Sequence, residues 1–229
     1  ELLGSASVFA LGSFWLIGLW GGWVLIFLGL ADPLAHSGHG GPVSLADIIY
    51  FVGFTLSTLG IGDLTPESTY AQMATTLASF NGLLVVTLIV TYALSVVSGV
   101  VARRVLALKI YLVGGDEGEF LRQFESFSDF THWLTDIRKE LMSCTEQRLA
   151  YPVLDNFISR SRRFSLPVQI ARVGLAAMAE NRNSTMSQSQ QAQRELTALF
   201  SVLDRYTSIT GLTDEDLAAR LRKLGERKR

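Results

Sequence analysis

The residues whose types and spacing suggest chemistry are Thr-Leu-Gly-Ile-Gly-Asp, at positions 58–63. Glycine at 60 and 62 can adopt backbone angles that are closed to other residues, so successive carbonyls can be turned to the same side of an extended strand. Several such strands around an axis would stack rings of oxygen atoms, and a dehydrated cation can pass between such rings. This chemistry is ion coordination rather than bond making, so we expect no enzyme.

The charged residues are distributed so unevenly that the two parts of the chain need different surroundings. Residues 1–102 carry five acids and no Lys or Arg, a formal charge of −5, whereas residues 103–229 carry all 20 basic residues and 16 acids, a charge of +4. Residues 2–31 and 68–102 contain no charged side chain. A core helix of a soluble protein keeps a polar face for water, so these two runs are predicted to lie in a membrane.

Both charge-free runs are long enough to cross a bilayer. At 1.5 Å per residue, an outer helix over about residues 8–31 is roughly 36 Å long, against a hydrocarbon core of about 30 Å. The predicted inner helix, over about residues 70–104, is longer. A secretory signal peptide is the alternative for the first run, but a signal has a basic n-region and a shorter apolar stretch.

Basic residues directly after the second run indicate the orientation. Arg103, Arg104 and Lys109 follow it, and basic residues beside a membrane helix stay on the cytoplasmic side. We therefore predict a multi-pass protein of the plasma (inner) membrane with both termini in the cytoplasm and residues 32–69 outside. Cys144 then falls in the cytoplasmic part, where it is most simply a reduced, packed thiol.

The segment between the two crossings is too apolar for an exposed loop and too short to span the membrane and return. Ser44 and Asp47, three residues apart, form an N-terminal capping signal and predict a short re-entrant pore helix over about residues 45–57. Beyond it the backbone leaves the helix. At membrane depth such backbone is tolerated only where it is buried in protein or lines a water-filled path.

Residues 58–63, preceded by Tyr-Phe-Val-Gly-Phe-Thr-Leu-Ser, resemble the Thr-Val-Gly-Tyr-Gly-Asp selectivity filter and pore helix of the two-transmembrane bacterial potassium channels, a pore-loop ion channel family. The resemblance covers roughly residues 8–104. It implies a homotetramer that conducts K+ passively, with K+ as the permeant ion and no cofactor. Carried over to this chain, it implies an ion-binding selectivity filter of Thr58, Leu59, Gly60, Ile61 and Gly62. The K+ ligands would be the carbonyls of Thr58, Leu59, Gly60 and Ile61 together with the Thr58 hydroxyl.

The chain departs from the family's filter at two positions, where Leu59 replaces valine and Ile61 replaces tyrosine. Both are apolar, so the carbonyl rings should survive, whereas an acid at position 61 would have suggested the nonselective relatives. The resemblance makes Asp63 a brace behind the filter rather than an ion ligand. Tyr50 is its available partner, because its hydroxyl can donate to a carboxylate; a role as an interfacial aromatic residue is an equally open reading.

Gly82 lies 19 residues after Asp63, near the place where this family has the glycine about which the inner helix bends. It is therefore a candidate gating hinge, and close packing against another helix is the competing explanation. The residues that share its helical face are candidates for the cavity wall: Leu83, Val86 or Thr87, Val90 and Leu94. His36 and His39 could bind a metal or sense pH, but solvated turn residues are the favoured reading because two histidines are short of a ligand set.

The remaining chain is predicted to be a water-soluble helical domain, so that residues 1–109 form the pore domain and residues 110–229 a cytoplasmic helical domain. An apolar stripe at steps of three and four predicts a long amphipathic helix through Phe120, Phe124, Phe127, Phe130, Leu134, Ile137 and Leu141. The sequence offers no dinucleotide fingerprint, and the regulatory ligand is unknown. The basic C-terminal end could contact anionic membrane lipid, and nucleic acid is not expected as a partner.

The sequence therefore predicts an all-α membrane protein with two transmembrane helices, a re-entrant pore helix and filter, and a C-terminal cytoplasmic helical domain. Two alternatives remain open. One is a nonselective cation channel. The other is a membrane signalling or scaffold protein in which a pore-like domain supports the helical domain, a role that needs no intact filter.

Overall fold

The computed structural model describes residues 2–38, 41–114, 124, 126–157, 161–183, 190–212 and 216–226. These residues are mostly helical. In chain order they form α1 (Leu2–Leu28), β1 (Leu34–His36), α2 (Leu45–Leu56), β2 (Leu64–Pro66), α3 (Thr69–Gly114), α4 (Phe127–Ala150), α5 (Leu166–Asn183), α6 (Gln190–Ile209) and α7 (Leu217–Glu226). Two 3₁₀ turns, Pro152–Asn156 and Arg162–Phe164, lie between α4 and α5.

Two of the helices are long and apolar enough to cross a membrane, over Phe9–Leu28 and Thr69–Gly114. Only 6% and 11% of their most apolar windows are buried inside the chain. A core helix of a soluble protein passes the same test of length and composition but is mostly buried, so this low burial separates α1 and α3 from core helices. The two predicted apolar helices are thus present, and α3 continues ten residues beyond the predicted end at residue 104.

The chain divides into two compact units, and the division lies inside α3. The first unit is Ala6–Ser95, and the second joins Val96–Arg229 to the residues up to Ser5. The sequence analysis instead drew the boundary between residues 109 and 110. The two boundaries differ because Leu106 and Ile110, on the last part of α3, belong to the apolar core of the second unit.

The first unit has a small core in which aromatic rings fix the position of α2. The Phe51 ring lies edge-on to Phe27 and Phe54, at centroid distances of 5.3 and 5.1 Å. The indole N–H of Trp20 donates to the Ile49 carbonyl of α2 at 3.1 Å. Phe51 is 1% exposed, and burying a side chain of this size stabilises a fold by roughly 1.5–3 kcal/mol. These contacts hold the short helix against α1.

Strands β1 and β2 form an antiparallel ladder that the all-α prediction omitted. Leu34 pairs with Pro66, Ala35 with Thr65 and His36 with Leu64. Leu34 and Leu64 are both buried in the core of the first unit, so one face of the ladder is anchored. Three-residue strands carry too few residues for an alternating pattern, which is why the sequence did not indicate them.

The second unit buries much of the predicted phenylalanine and leucine stripe. Phe130, Leu134, Ile137 and Leu141 are each 1% exposed. Helix α4 begins at Phe127, where the hydroxyl of Ser126 accepts the Asp129 N–H as an N-terminal cap. The Phe124 ring precedes the helix and packs on Phe130 at 5.3 Å. Phe120, which the sequence analysis placed on the same helix, lies outside the described residues.

Helices α4 to α7 pack in pairs around this core, α4 on α6 and α5 on α7. Cys144 of α4 is a free, buried thiol, in agreement with the predicted packed thiol. Burial raises the pKa of this thiol to about 11. The protonated form is therefore the one present near neutral pH.

Candidate ion-coordinating site

The approach to residues 58–63, called here the glycine segment, begins at the first turn of α2. Ser44 caps this helix by the predicted capping box: its hydroxyl accepts the Asp47 N–H, while the Asp47 carboxylate accepts the Ser44 N–H at 2.8 Å. These hydrogen bonds from Ser44 lower the pKa of Asp47. His36 adds a second contact to this turn, with its Nε2 3.7 Å from an Asp47 carboxylate oxygen. The capping prediction is confirmed.

Two backbone hydrogen bonds join the last turn of α2 to the first residues of the glycine segment. The Thr58 N–H donates to the Thr55 carbonyl at 3.0 Å, and the Leu59 N–H donates to the Phe54 carbonyl at 2.9 Å. Since the last carbonyls of a helix have no partner within it, these bonds satisfy the helix end and fix where the segment begins.

The backbone φ angle of the glycine segment alternates between positive and negative values. Thr58, Gly60 and Gly62 have φ values of +59°, +58° and +85°, while Leu59 and Ile61 between them keep φ negative. A regular strand points successive carbonyls to opposite sides, whereas a chain that alternates between the two hands turns them to the same side. For a β-branched residue such as Thr58, a positive φ costs about 1–3 kcal/mol, and such strain clusters at functional sites.

The carbonyls of the glycine segment fall into two groups. Within the described residues, those of Thr58, Leu59, Gly60 and Ile61 accept no hydrogen bond. The Gly62 carbonyl does accept one, from the Ser37 hydroxyl at 2.7 Å. Four successive carbonyl oxygens are thus left without a donor from the described part of the chain, so each can accept from water or coordinate a cation.

The far end of the segment is tied to β1 and to its own neighbours. The Ser37 N–H donates to the Asp63 carbonyl at 2.9 Å, and the Asp63 carboxylate accepts the Leu64 N–H at 3.0 Å. The Tyr50 hydroxyl lies near the Asp63 carboxylate. The residues predicted as a brace therefore do lie together, and their role in supporting a filter stays a prediction.

Gly82 lies directly against the end of α2. A Cβ added to Gly82 would stand 2.1 Å from the Leu56 carbonyl oxygen and 2.8 Å from two further Leu56 backbone atoms. Only glycine allows this approach, which is the packing explanation that the sequence analysis left open. Helix α3 runs unbroken through Gly82. The hinge role stays a prediction.

The glycine segment is open on the side away from its own chain. Leu59 is 67% exposed and Ile61 is 50% exposed. A Cβ placed on Gly60 or Gly62 would meet no atom within 4 Å. One chain therefore covers one side of the segment only.

The other predicted residues occupy less constrained positions. The candidate cavity-wall residues of α3 are exposed, and the Thr87 hydroxyl donates to the Leu83 carbonyl at 2.8 Å, as a helical threonine commonly does. Among the described residues no group of three or more His, Cys, Asp or Glu side chains is arranged to hold a metal. His36 lies in β1, and His39 lies outside the described residues.

Sequence reasoning missed two residues that shape this site. Ser37 and Trp20 each contact a backbone carbonyl more than 20 positions away, Gly62 and Ile49 respectively. Trp20 stood among several apolar residues, and Ser37 looked like an ordinary polar residue before Gly38. Neither had a periodic or capping signal that separates it from its neighbours.

Comparison with known proteins agrees with this arrangement. Residues 13–99 match a family model described as "Ion channel". The chain is also 32% identical over 160 residues to the protein YdjJ of Bacillus subtilis (strain 168), described as an uncharacterized membrane protein. The alignment covers 69% of this chain and 47% of that relative, so the chain spans about half the length of the curated relative it matches. No solved structure matches the chain.

The family match and the structure concern the same residues. The matched span contains α2, the glycine segment, the β1–β2 ladder and most of the first unit. Transport through a pore, rather than catalysis, is what this family performs. Residues 13–99 therefore match the two-helix pore-loop ion channel family, and the family match together with the two apolar helices indicates a membrane protein.

Proposed function

We propose that the protein is a homotetrameric, potassium-selective channel that conducts K+ passively, with one glycine segment contributed by each subunit. The observation that supports it most is the run of four carbonyls, Thr58 to Ile61, that accept no hydrogen bond while the backbone alternates in φ. Four such runs around an axis would replace the hydration shell of K+ with carbonyl oxygens. The Thr58 hydroxyl would supply one more ligand. K+ is the permeant ion, and no cofactor is proposed.

The open side of the segment supports the proposed tetramer. Each chain has one such segment, and Leu59 and Ile61 remain exposed in the single subunit. We expect detergent-extracted protein to have the mass of four subunits. A monomer or dimer that conducts would contradict this model.

Selectivity is tested by reconstituting the protein in liposomes or bilayers under separate K+ and Na+ gradients. The reversal potential should follow the K+ gradient. Leu59 and Ile61 are apolar, so no charged side chain stands beside the row of carbonyls in the glycine segment. Equal permeability to the two ions would favour the nonselective cation channel instead. Absence of any cation flux from a correctly assembled tetramer would favour the signalling or scaffold alternative.

A glycine substitution provides the matched control. Gly60→Ala should abolish conduction, because φ at Gly60 is +58° and an alanine there is strained. Gly41→Ala should leave flux unchanged, because Gly41 has open space around its Cβ position and no positive φ. Normal K+ flux in Gly60→Ala would argue against conduction through the glycine segment.

We propose a plasma-membrane location with both termini cytoplasmic, from the basic residues Arg103, Arg104 and Lys109 that follow the charge-free run of α3. A membrane-impermeant thiol reagent tests it on intact cells in a Cys144→Ala background. Gly41→Cys should be labelled from outside. Met142→Cys, also at an exposed position, should be labelled only after the membrane is opened.

We further propose that the second unit modulates opening through the 3₁₀ turn Pro152–Asn156. Arg103 of α3 donates to the Leu154 carbonyl at 2.9 Å and lies 3.7 Å from Asp155. Arg148 of α4 binds the other Asp155 oxygen at 2.6 Å. A Cβ on Gly99 would come within 3.1 Å of the Leu154 side chain. This turn therefore contacts α3 through a hydrogen bond, an ion pair and side-chain packing.

Asp155→Asn tests the modulation, with Glu146→Gln as its matched control. Both carboxylates pair with an arginine and are similarly exposed, at 44% and 48%, but Glu146 pairs with Arg205 of α6 rather than with α3. Asp155→Asn should change open probability and leave ion selectivity intact, and Glu146→Gln should change neither. If Asp155→Asn matches the wild type in open probability, the second unit has another task, such as partner binding.

A further inference from the structure

Ser37 is placed to control the end of the glycine segment that adjoins β2. Its hydroxyl donates to the Gly62 carbonyl at 2.7 Å, and its N–H donates to the Asp63 carbonyl at 2.9 Å. One residue therefore binds two successive carbonyls at the point where the segment ends. None of the four preceding carbonyls accepts a bond within the described part of the chain.

The position of Ser37 is set by the ladder rather than by a flexible loop. It directly follows β1, whose last pair is His36 with Leu64. Leu34 and Leu64 are each 3% exposed, and a one-residue slip of a strand would turn its buried face outward. The register that places Ser37 opposite the residues before Leu64 is therefore held by apolar burial.

The Gly62 carbonyl needs such a fixed partner. Gly62 has a φ of +85° and open space around its Cβ position, so no side chain restricts rotation of the peptide that follows it. A carbonyl that accepts a hydrogen bond at 2.7 Å is directed at its donor. The Ser37 hydroxyl thus determines which way this oxygen points.

We propose, on the basis of the proposed channel function, that Ser37 is a positioning residue that keeps the Gly62 carbonyl out of the row of ion-binding carbonyls. The last ring of ligands is then formed by the Ile61 carbonyls, as in the ligand set that the resemblance implies, and the Ser37 hydroxyl is the group that holds the neighbouring Gly62 carbonyl away from it. Without the hydroxyl the Gly62 peptide can rotate, which loosens the spacing of the Ile61 ring beside it. Looser spacing lowers discrimination between K+ and the smaller Na+.

The first test observes the carbonyl itself. Protein labelled with carbonyl ¹³C in glycine and ¹⁵N in aspartate gives a signal only from Gly-Asp pairs, of which the sequence has two, Gly62-Asp63 and Gly115-Asp116. Asp116→Asn removes the second signal and thereby assigns the first. Ser37→Ala should shift the Gly62 signal and leave the Gly115 signal in place, whereas Ser37→Thr should restore the wild-type position.

The second test measures the consequence for ions in full-length tetramers. In Ser37→Ala the ratio of K+ to Na+ permeability should fall roughly two- to tenfold, the range that the loss of one hydrogen bond produces, and Ser37→Thr should recover it. Thr65→Val is the matched control, because the Thr65 hydroxyl binds the Ala35 carbonyl of the same ladder at 3.5 Å without touching the glycine segment. It should leave the ratio unchanged. If Ser37→Ala does not assemble, Ser37→Cys, a weaker donor of similar size, should give a smaller change of the same sign.

Each result decides the proposal. An unmoved Gly62 signal in Ser37→Ala overturns it, and so does a moved signal accompanied by wild-type permeation. Equal K+ and Na+ permeability of the wild type would refute the proposed selectivity but not the role of Ser37. In that case a reduced unitary cation conductance in Ser37→Ala, together with the moved signal, supports the role, and an unchanged conductance overturns it.

Discussion

Leucine side chains differ in exposure between the two units, even along the single helix α3. Leu88 and Leu94, in the part of α3 that belongs to the first unit, are 66% and 63% exposed. Leu106, on the same helix but in the second unit, is 1% exposed, as are Leu134 and Leu141 of α4. Apolar side chains need a partner in both cases. The chain supplies that partner itself in the second unit and does not supply it for these leucines of the first.

This difference separates positions where a substitution alters folding from positions where it alters only the membrane-facing surface. It also isolates a third kind of position, where the first unit packs backbone against backbone. Gly82 and the end of α2 form that contact. The following predictions test the contrast in order of expected effect.

The largest effect is expected for Gly82→Ala. The added methyl group would stand 2.1 Å from the Leu56 carbonyl oxygen, a distance that backbone atoms cannot relieve without moving α2. We expect loss of most ion conduction and a thermal midpoint of the tetramer lowered by several degrees. Gly18→Ala, the same change at a position of α1 with open space, should be neutral. A Gly82→Ala tetramer of normal stability with altered open probability would favour the hinge role instead.

The next effect contrasts two leucines. Leu134→Ala should destabilise the second unit by about 2–5 kcal/mol, because the side chain is buried and leaves a cavity. Leu88→Ala should change the stability of detergent-extracted protein by less than about 0.5 kcal/mol. Thermal unfolding followed by circular dichroism measures both. Equal destabilisation by the two would show that α3 is covered by protein at Leu88.

Cys144 reports on the second unit without a mutation. Its pKa is raised from 9.0 to about 11 by burial, and only the thiolate reacts with alkylating reagents, so labelling at pH 8 should be roughly 100-fold slower than for a free thiol. The unfolded thiol ionises before the folded one. Stability should therefore be unaffected below about pH 9 and should fall as the pH rises toward 11. Rapid labelling of native protein at pH 8 would contradict the buried environment.

The smallest effect compares two helix caps built from the same residues. Ser44 caps α2 with Asp47 three positions on, and Ser126 caps α4 with Asp129 three positions on. Ser44→Ala and Ser126→Ala should each cost about 1 kcal/mol. Only Ser44→Ala should alter single-channel conductance, because α2 leads into the glycine segment. If Ser126→Ala alters conductance to the same degree, the effect on ion conduction is not confined to the first unit, and this prediction is wrong.

The features that the sequence predicted well are encoded by neighbouring residues. The capping box of α2 depends on Ser44 and Asp47, three positions apart, and the apolar helices depend on long runs without charge. The stripe of α4 is likewise read from steps of three and four. Local patterns of this kind are visible in one chain because each residue's role depends on close neighbours in sequence.

The features that escaped prediction join residues far apart in the chain. Ser37 contacts Gly62 across 25 positions. Close packing at Gly82 was one of the two expectations, but its partner, Leu56, lies 26 positions away and was not predicted. The last ten residues of α3 were also missed, since Arg103, Arg104 and Lys109 marked the end of the apolar run but not the end of the helix. Charged residues are good helix formers once a helix leaves an apolar environment.

The unbroken course of α3 has a consequence for its surroundings. Its 46 residues make a rod about 69 Å long, more than twice the thickness of a hydrocarbon layer of about 30 Å. Even a strongly tilted helix of this length extends beyond that layer. The last turns of α3 are therefore expected to be surrounded by protein and water rather than by lipid, which agrees with the burial of Leu106 and Ile110 in the core of the second unit.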